Sequence, residues 1–185
     1  MNPIIVIVII NLLLFLPTIV SPEIRDTLIT FLGLQPASIL SRPWTVVTSM
    51  FVHAGFFHLF ANMLTLYFFG SYLYRLLGER RFLLIYFGGG ILGSIFFILL
   101  GPQFATAIGA SGAVFALGGA LAAMRPNLRV FIFPIPVPLP LWLAVIGGFF
   151  IFLFIANIAW QAHLGGLILG LVAGYRLKKG SGYYY

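Results

Sequence analysis

Three histidines, one asparagine and one serine are the residues of this sequence whose types and positions favour catalysis. They fall on three separate apolar segments: His53, His58 and Asn62 on the first, Ser111 at the start of the second, and His163 early in the third. Ionisable side chains inside apolar segments are costly and are functional candidates by default. A serine and a histidine can cleave an amide together, because the histidine accepts the serine proton and returns it to the leaving amine. The pattern predicts Ser111 as nucleophile and His163 as general base.

Amide cleavage also needs hydrogen-bond donors for the developing oxyanion. His58 and Asn62 are four residues apart, so they share one face of a helix, and both side chains can donate. The backbone N–H groups of Ala110 and Ser111 lie at a predicted helix N-terminus, which favours an anion. These four groups are the predicted oxyanion site. His53 precedes His58 by five residues and points elsewhere on an ideal helix, so we interpret it as a loop anchor.

The composition excludes a soluble protein. Of 185 residues, 62% are hydrophobic and 7% are charged, with a mean hydropathy of +1.13, whereas soluble domains have about 25% charged residues. The chain has no cysteine, and its three acids, Glu23, Asp26 and Glu79, lie outside the apolar segments. These features argue against a triad with a buried acid, and we predict no metal site and no cofactor. The net charge of +7 bears on membrane orientation rather than on nucleic acid, which we do not predict as a partner.

Solid apolar blocks, rather than alternating polarity, predict an all-α membrane protein. Breaks at Gly101-Pro102, in the proline-rich stretch Pro134 to Pro140 and near Asn157 divide the longest blocks. This division predicts a single domain over residues 1–179 and a flexible tail at 180–185. We expect six transmembrane helices joined by a long external loop, 21–50, between the first two, with helix spans 3–20, 52–72, 82–100, 111–125, 140–156 and 160–177. Within that loop, Ser21-Pro22-Glu23 predicts the start of a helix.

The basic residues predict the orientation. Eight fall on one side if the N-terminus is cytoplasmic, and only Arg25 and Arg42 fall on the other; the eight are Arg75, Arg80, Arg81, Arg125, Arg129, Arg176, Lys178 and Lys179. The positive-inside rule then places both termini in the cytoplasm of a multi-pass cell-membrane protein. The first turns of the second, fourth and sixth helices share one depth, so the polar residues converge near the outer face and the site opens to that side.

Small residues predict close contact between the fourth and sixth helices. Gly166, Gly170 and Gly174 form a four-residue repeat on the sixth helix, opposite small residues of the fourth, namely Gly112, Ala116, Gly119 and Ala120. Such spacing lets membrane helices pack backbone to backbone, which would bring Ser111 within hydrogen-bond reach of His163. Phe115, one turn after Ser111, is placed to stack on the imidazole. Ser49, Ser71 and Ser94 lack a comparable partner, and we interpret them as structural.

Three segments together resemble the rhomboid family. The segment from His53 to Asn62 resembles its HxxxxHxxxN signature, Gly109-Ala-Ser111-Gly112 its GxSG motif, and His163 with Gly166 and Gly170 its HxxGxxxG motif. The resemblance implies a six-helix intramembrane serine endopeptidase that cleaves transmembrane protein substrates in the bilayer through an acyl-enzyme. It implies Ser111 as nucleophile, His163 as base, and His58, Asn62 and the Ser111 N–H as oxyanion donors.

Two positions depart from the family pattern. Thr45 follows Trp44 where many members have arginine, and Tyr74 stands where many have glutamate; both positions are structural supports in the family. Two other functions stay open: a catalytically inert rhomboid-like protein that binds and escorts membrane proteins, and a small transporter or channel. We expect substrate to enter laterally, with the fifth helix and the link from Asn157 to Gln161 as the gate.

Overall fold

Helices account for nearly all of the regular structure. The computed structural model describes residues 2–131, 136–155 and 158–180, with side chains up to 178. The helices, in chain order, are α1 (Pro3–Val20), α2 (Pro22–Leu32), α3 (Thr45–Thr48), α4 (Phe56–Thr65), α5 (Ser71–Leu77), α6 (Glu79–Leu100), α7 (Ser111–Met124), α8 (Leu141–Leu153) and α9 (Trp160–Gly180). One short antiparallel pair joins β1 (Arg129–Val130) to β2 (Leu139–Pro140). The predicted all-helical membrane bundle is confirmed.

Among the described residues, three helical segments are long and apolar enough to cross a membrane: α1, the continuous stretch Phe56–Leu77, and α6. The helices α7 and α8 are also apolar but have only 14 and 13 residues. At about 1.5 Å per residue, each is shorter than the bilayer's hydrocarbon core of about 30 Å. The predicted tail at 180–185 lies outside the described residues except for Gly180, which is the last residue of α9.

The second predicted span differs most from the structure. It begins at Phe56 instead of residue 52, after an extended Gly55, and it contains a π-helical turn at Leu66–Gly70. His53 therefore lies in the loop before the helix. The predicted direction of His53, away from His58, assumes an uninterrupted helix and is wrong, because the two imidazole rings are in contact.

The loop between α1 and α4 is ordered by local capping and by ties to its own helix α2. Ser21 accepts a hydrogen bond from the backbone N–H of Ile24, as predicted for a helix start. The Ser21 hydroxyl also donates to Glu23 and thereby lowers the pKa of that carboxyl. Trp44 donates its indole N–H to the carbonyl of Phe31 at 2.9 Å, and Thr48 donates to Leu32 at 2.9 Å.

The same loop is attached to the segment that leads into α7. Leu34 and Ala107 exchange backbone hydrogen bonds of 3.0 and 2.8 Å. Thr45, one of the two departures from the family pattern, is buried and donates to the carbonyl of Arg42 at 2.7 Å. Because Ala107 lies four residues before Ser111, the external loop braces the segment that carries the serine.

Helices α6, α7 and α9 form the centre of the bundle because their facing residues are small. A Cβ atom added at Gly166, Gly170 or Gly174 would overlap a backbone carbonyl of α7, at Gly112, Ala116 and Ala120 respectively. Both series advance by four residues in the same direction, so α7 and α9 run parallel in register. Helix α6 packs in the opposite direction, with Gly93 against the Ala162 carbonyl and Gly89 against Ala116.

Candidate active site

The serine lies at the end of a sharply turned segment. Ser111 is the first residue of α7, and Gly109 just before it has a φ of +114°. The Gly109 N–H donates to the Ser49 carbonyl at 2.9 Å. A Cβ at Gly109 would lie 2.6 Å from His58 Nε2. Glycine is needed here for both its backbone angle and its lack of a side chain.

The structure brings Ser111 and His163 together. Ser111 Oγ and His163 Nε2 are 2.7 Å apart. His163 is the fourth residue of α9 and is buried. The parallel contact of α7 and α9 sets this distance, because Gly112, next to Ser111, and Gly166, about one turn after His163, touch through their backbones.

Two aromatic rings contact the imidazole of His163. Phe115 stacks on it as expected, with ring centroids 4.6 Å apart and planes inclined by 27°. Phe152 of α8 contacts the same imidazole at 5.6 Å and 59°. His163 Nδ1 is buried and has no hydrogen-bond partner among the described residues. No carboxylate therefore orients this histidine in the described part of the chain.

The first two histidines are in contact. Their rings lie 4.9 Å apart in an edge-to-face arrangement. His53 Nε2 accepts a hydrogen bond from the backbone N–H of Ala110 at 3.4 Å, so His53 ties its loop to the serine segment. The Ala110 N–H is thus already engaged, and this predicted oxyanion donor is not free in the structure. Ser111 N–H lies in the first turn of α7, where a helical N–H has no acceptor within its own helix.

His58 and Asn62 lie on one face of α4, and His58 is next to the serine segment at Gly109. His58 Nδ1 accepts from Ala54 N–H at 3.4 Å, so in its neutral form the ring hydrogen is on Nε2, the atom that faces Gly109. Asn62 is buried, and its amide donates to the His58 carbonyl at 2.8 Å. An amide NH2 carries two hydrogens, so a second one is available to a ligand.

A cavity of about 30 Å³ lies beside Ser111. Ser49 and Ser94 contribute to its wall, together with small residues of α6, α7 and the adjoining loops. Ser94 donates to the Val46 carbonyl at 2.8 Å. A cavity of this size with serine hydroxyls in its wall has room for a water molecule. Sequence reasoning does not link these two serines with Ser111, since the three lie on different segments with no shared motif.

The remaining predicted positions are partly outside the described structure. Asn157, in the predicted gate, and Pro134, in the proline-rich stretch, lie outside the described residues. Gln161 is buried and donates to the Leu100 carbonyl at 3.4 Å, so it joins the start of α9 to the end of α6. Tyr74 packs edge-to-face on Phe82 at 6.3 Å. Within the described ranges, no group of three or more histidine, cysteine or acidic residues is placed to hold a metal.

Fold and site together define a class: an all-helical membrane protein with a half-buried serine and a buried histidine paired at the start of two parallel helices. Comparison with known proteins gives the family. The model of the rhomboid domain matches residues 40–180. The chain belongs to the rhomboid family, which acts on transmembrane substrates within the bilayer and includes serine proteases.

Three relatives indicate the range of the family. Rhomboid protein 1, mitochondrial, of Saccharomyces cerevisiae is 31% identical over 73% of this chain and 42% of its own length. Rhomboid protease GlpG of Haemophilus influenzae is 30% identical over 76% of this chain and 74% of its own. Inactive RHOMBOID-like protein 8 of Arabidopsis thaliana is 38% identical over 48% and 25%. The chain thus spans less than half of the yeast protein, and the family includes an inactive member.

Proposed function

We propose that this protein is an intramembrane serine endopeptidase that cleaves transmembrane protein substrates near the outer membrane face. The observation that carries the proposal is the 2.7 Å contact between Ser111 Oγ and His163 Nε2. It lies within the reach of a nucleophile and its base. The packing of α7 on α9 through backbone contacts supports it further, because reacting groups must be held in place to be effective.

In the proposed reaction, Ser111 Oγ attacks the substrate carbonyl carbon while its proton passes to His163 Nε2. This requires the imidazole to carry its hydrogen on Nδ1 beforehand. The tetrahedral oxyanion is stabilised by the Ser111 N–H and by His58 and Asn62, and then collapses as His163 gives its proton to the leaving amine. Water, supplied through the cavity beside Ser111, releases the acyl-enzyme by the same steps, with His163 again acting as base.

For the arrangement in the membrane, we propose one domain over residues 1–179 with six spans, including the short helices α7 and α8, and with the long external loop between the first two. Cytoplasmic termini follow from the charges, because α7 and α9 run parallel and their basic ends, at Arg125 and at Arg176 and Lys178, lie opposite the serine–histidine pair. The positive-inside rule then orients the pair outward. Substrates are membrane-spanning protein helices that enter sideways from lipid.

The test uses purified protein in detergent with a fluorophosphonate probe and a model transmembrane substrate. Wild type should be labelled and should cut the substrate, while Ser111→Ala and His163→Ala should do neither. Unchanged thermal unfolding of the two variants is the control for folding.

The second candidate is an inert rhomboid-like protein that binds and escorts membrane proteins. The Arabidopsis relative, described as inactive, is the observation that favours it. It predicts a folded wild type that is neither labelled nor able to cleave.

A further inference from the structure

One face of α8 carries the residues that pack it onto the bundle. Val145, Phe149 and Phe152 are spaced by four and three residues, so they share a helical face. Val145 and Phe149 are buried, and Phe152 is half-buried one residue before the helix ends at Leu153. Phe150 points away from this face and is 55% exposed.

Phe152 is the residue of this face whose ring contacts the histidine of the proposed dyad. Its ring lies 5.6 Å from that of His163 and 5.9 Å from that of Phe115. Phe149 contacts Phe115 at 6.2 Å but forms no ring contact with His163. The imidazole on α9 is thus in contact with rings from two other helices, α7 and α8.

These rings matter because His163 lacks the usual means of orientation. In a Ser-His-Asp triad the acid holds the imidazole in the right tautomer and direction. Here Nδ1 is buried without an acceptor among the described residues. The Phe115 ring is stacked on the face of the imidazole and resists rotation of the imidazole about its Cβ–Cγ bond. The Phe152 ring, inclined at 59°, contacts the imidazole from another helix and resists a swing of the whole ring about the Cα–Cβ bond.

We propose that Phe152 is a positioning residue for the general base, and that the dyad is held in its reactive geometry only while α8 is packed against α7. This inference rests on the proposed protease function. It assigns to α8 a part in the chemistry and not only in access to the site. Withdrawal of α8 removes one of the two rings that hold the imidazole, so bond cleavage requires α8 to be in its packed position.

A blocking role for Phe152 makes the opposite prediction. If the ring only obstructed the path of a substrate helix, its removal would open the site, turnover of a large substrate would rise, and a small probe would react as before. The two roles therefore differ in the sign of the effect.

The test compares Phe152→Leu, which removes the ring, with Phe152→Tyr, which retains it, and with Phe150→Leu as the matched exposed control. Two quantities are measured: the rate of fluorophosphonate labelling, which reports on the dyad, and kcat and KM for a transmembrane substrate. We expect Phe152→Leu to lower both the labelling rate and kcat by about tenfold or more, with little change in KM. Phe152→Tyr and Phe150→Leu should stay near wild type.

Labelling of Phe152→Leu at the wild-type rate, or faster turnover of the substrate, would overturn the proposal. If Phe152→Leu unfolds at the assay temperature, Phe152→Met takes its place, because an unbranched thioether fills the same space without a ring. Failure of wild type itself to be labelled would instead refute the protease function, so the two failures are distinguishable.

Discussion

Helices α8 and α9 both pack on α7, but they are held in different ways. Helix α9 touches α7 through backbone atoms, at Gly166, Gly170 and Gly174. Helix α8 touches α7 through side chains, with Phe149 and Phe152 against Phe115. A backbone contact has no flexible part that can adjust, whereas ring contacts can repack. The distance between Ser111 and His163 is therefore a property of the scaffold, and the surroundings of the imidazole depend on a more adaptable helix.

The surrounding lipid increases the difference between the ways in which α8 and α9 are held. The outer face of α8 exposes large apolar side chains, including Phe150 at 55% and Ile151 at 63%. In a bilayer such exposure carries no hydrophobic penalty, because lipid tails are as apolar as the protein interior. Helix α8 is thus retained by side-chain packing and, at its first residues, by backbone hydrogen bonds from Leu141 to Leu128 and from Trp142 to Pro126. Displacing its far end costs a few ring contacts, while displacing α9 would break the dyad.

The largest effect is expected from adding one methyl group to the contact between α7 and α9. A Cβ at Gly170 would overlap the Ala116 carbonyl, whereas a Cβ at Gly148 on α8 has nothing within 4 Å. Gly170→Ala should destabilise the fold by about 1–3 kcal/mol through overpacking and should abolish proteolysis, because the dyad separates. Gly148→Ala should retain activity. Thermal unfolding measures the stability of the two variants, and substrate cleavage measures their activity. An active, stable Gly170→Ala would show that the backbone contact does not set the distance between Ser111 and His163.

A smaller effect is expected at the turn before Ser111. Gly109→Ala places a side chain on a backbone with φ of +114° and against His58, whereas at Gly78, with φ of +79°, an added Cβ has nothing within 4 Å. Both alanine variants carry strain of about 1–3 kcal/mol. Gly109→Ala should in addition lose most of its kcat, because His58 and the serine segment must move apart. Equal losses of activity in the two variants would mean that backbone strain alone lowers the activity of Gly109→Ala, and that the lack of room beside His58 has no part in it.

The contact between α7 and α9 could be predicted from the sequence, because the residues that indicate it are close together within each helix. The four-residue glycine repeat on α9 and the small residues of α7 specify a close parallel approach. The type and rough position of every long helix follow from length and hydropathy. The predicted start at residue 52 is four residues before the observed start of α4, because the apolar run Met50-Phe51-Val52 favours an early start, while the break at Ala54 and Gly55 is not registered by hydropathy.

Other features could not be predicted because they depend on tertiary contact. The hydrogen bond from Ala110 to His53 joins residues 57 positions apart, and it removes a donor that local reasoning had left free. Phe152 is one of many phenylalanines, and nothing in its local sequence separates it from the exposed Phe150. The roles assigned to Ser111, His163, His58 and Asn62 stay predictions until the labelling experiment is done.

The smallest effect is expected at Phe149, and it separates the packing of α8 from its action on the histidine. Phe149 and Phe152 both contact Phe115, but only Phe152 also contacts His163. Phe149→Leu should cost less than about 1.5 kcal/mol, as hydrophobic exchanges of similar volume usually do, and should leave the rate of fluorophosphonate labelling near wild type. Thermal unfolding and labelling kinetics on the same preparation provide the measurement. If Phe149→Leu slows labelling as much as Phe152→Leu, the general seating of α8 controls the dyad, and the direct contact of Phe152 with the imidazole has no separate role.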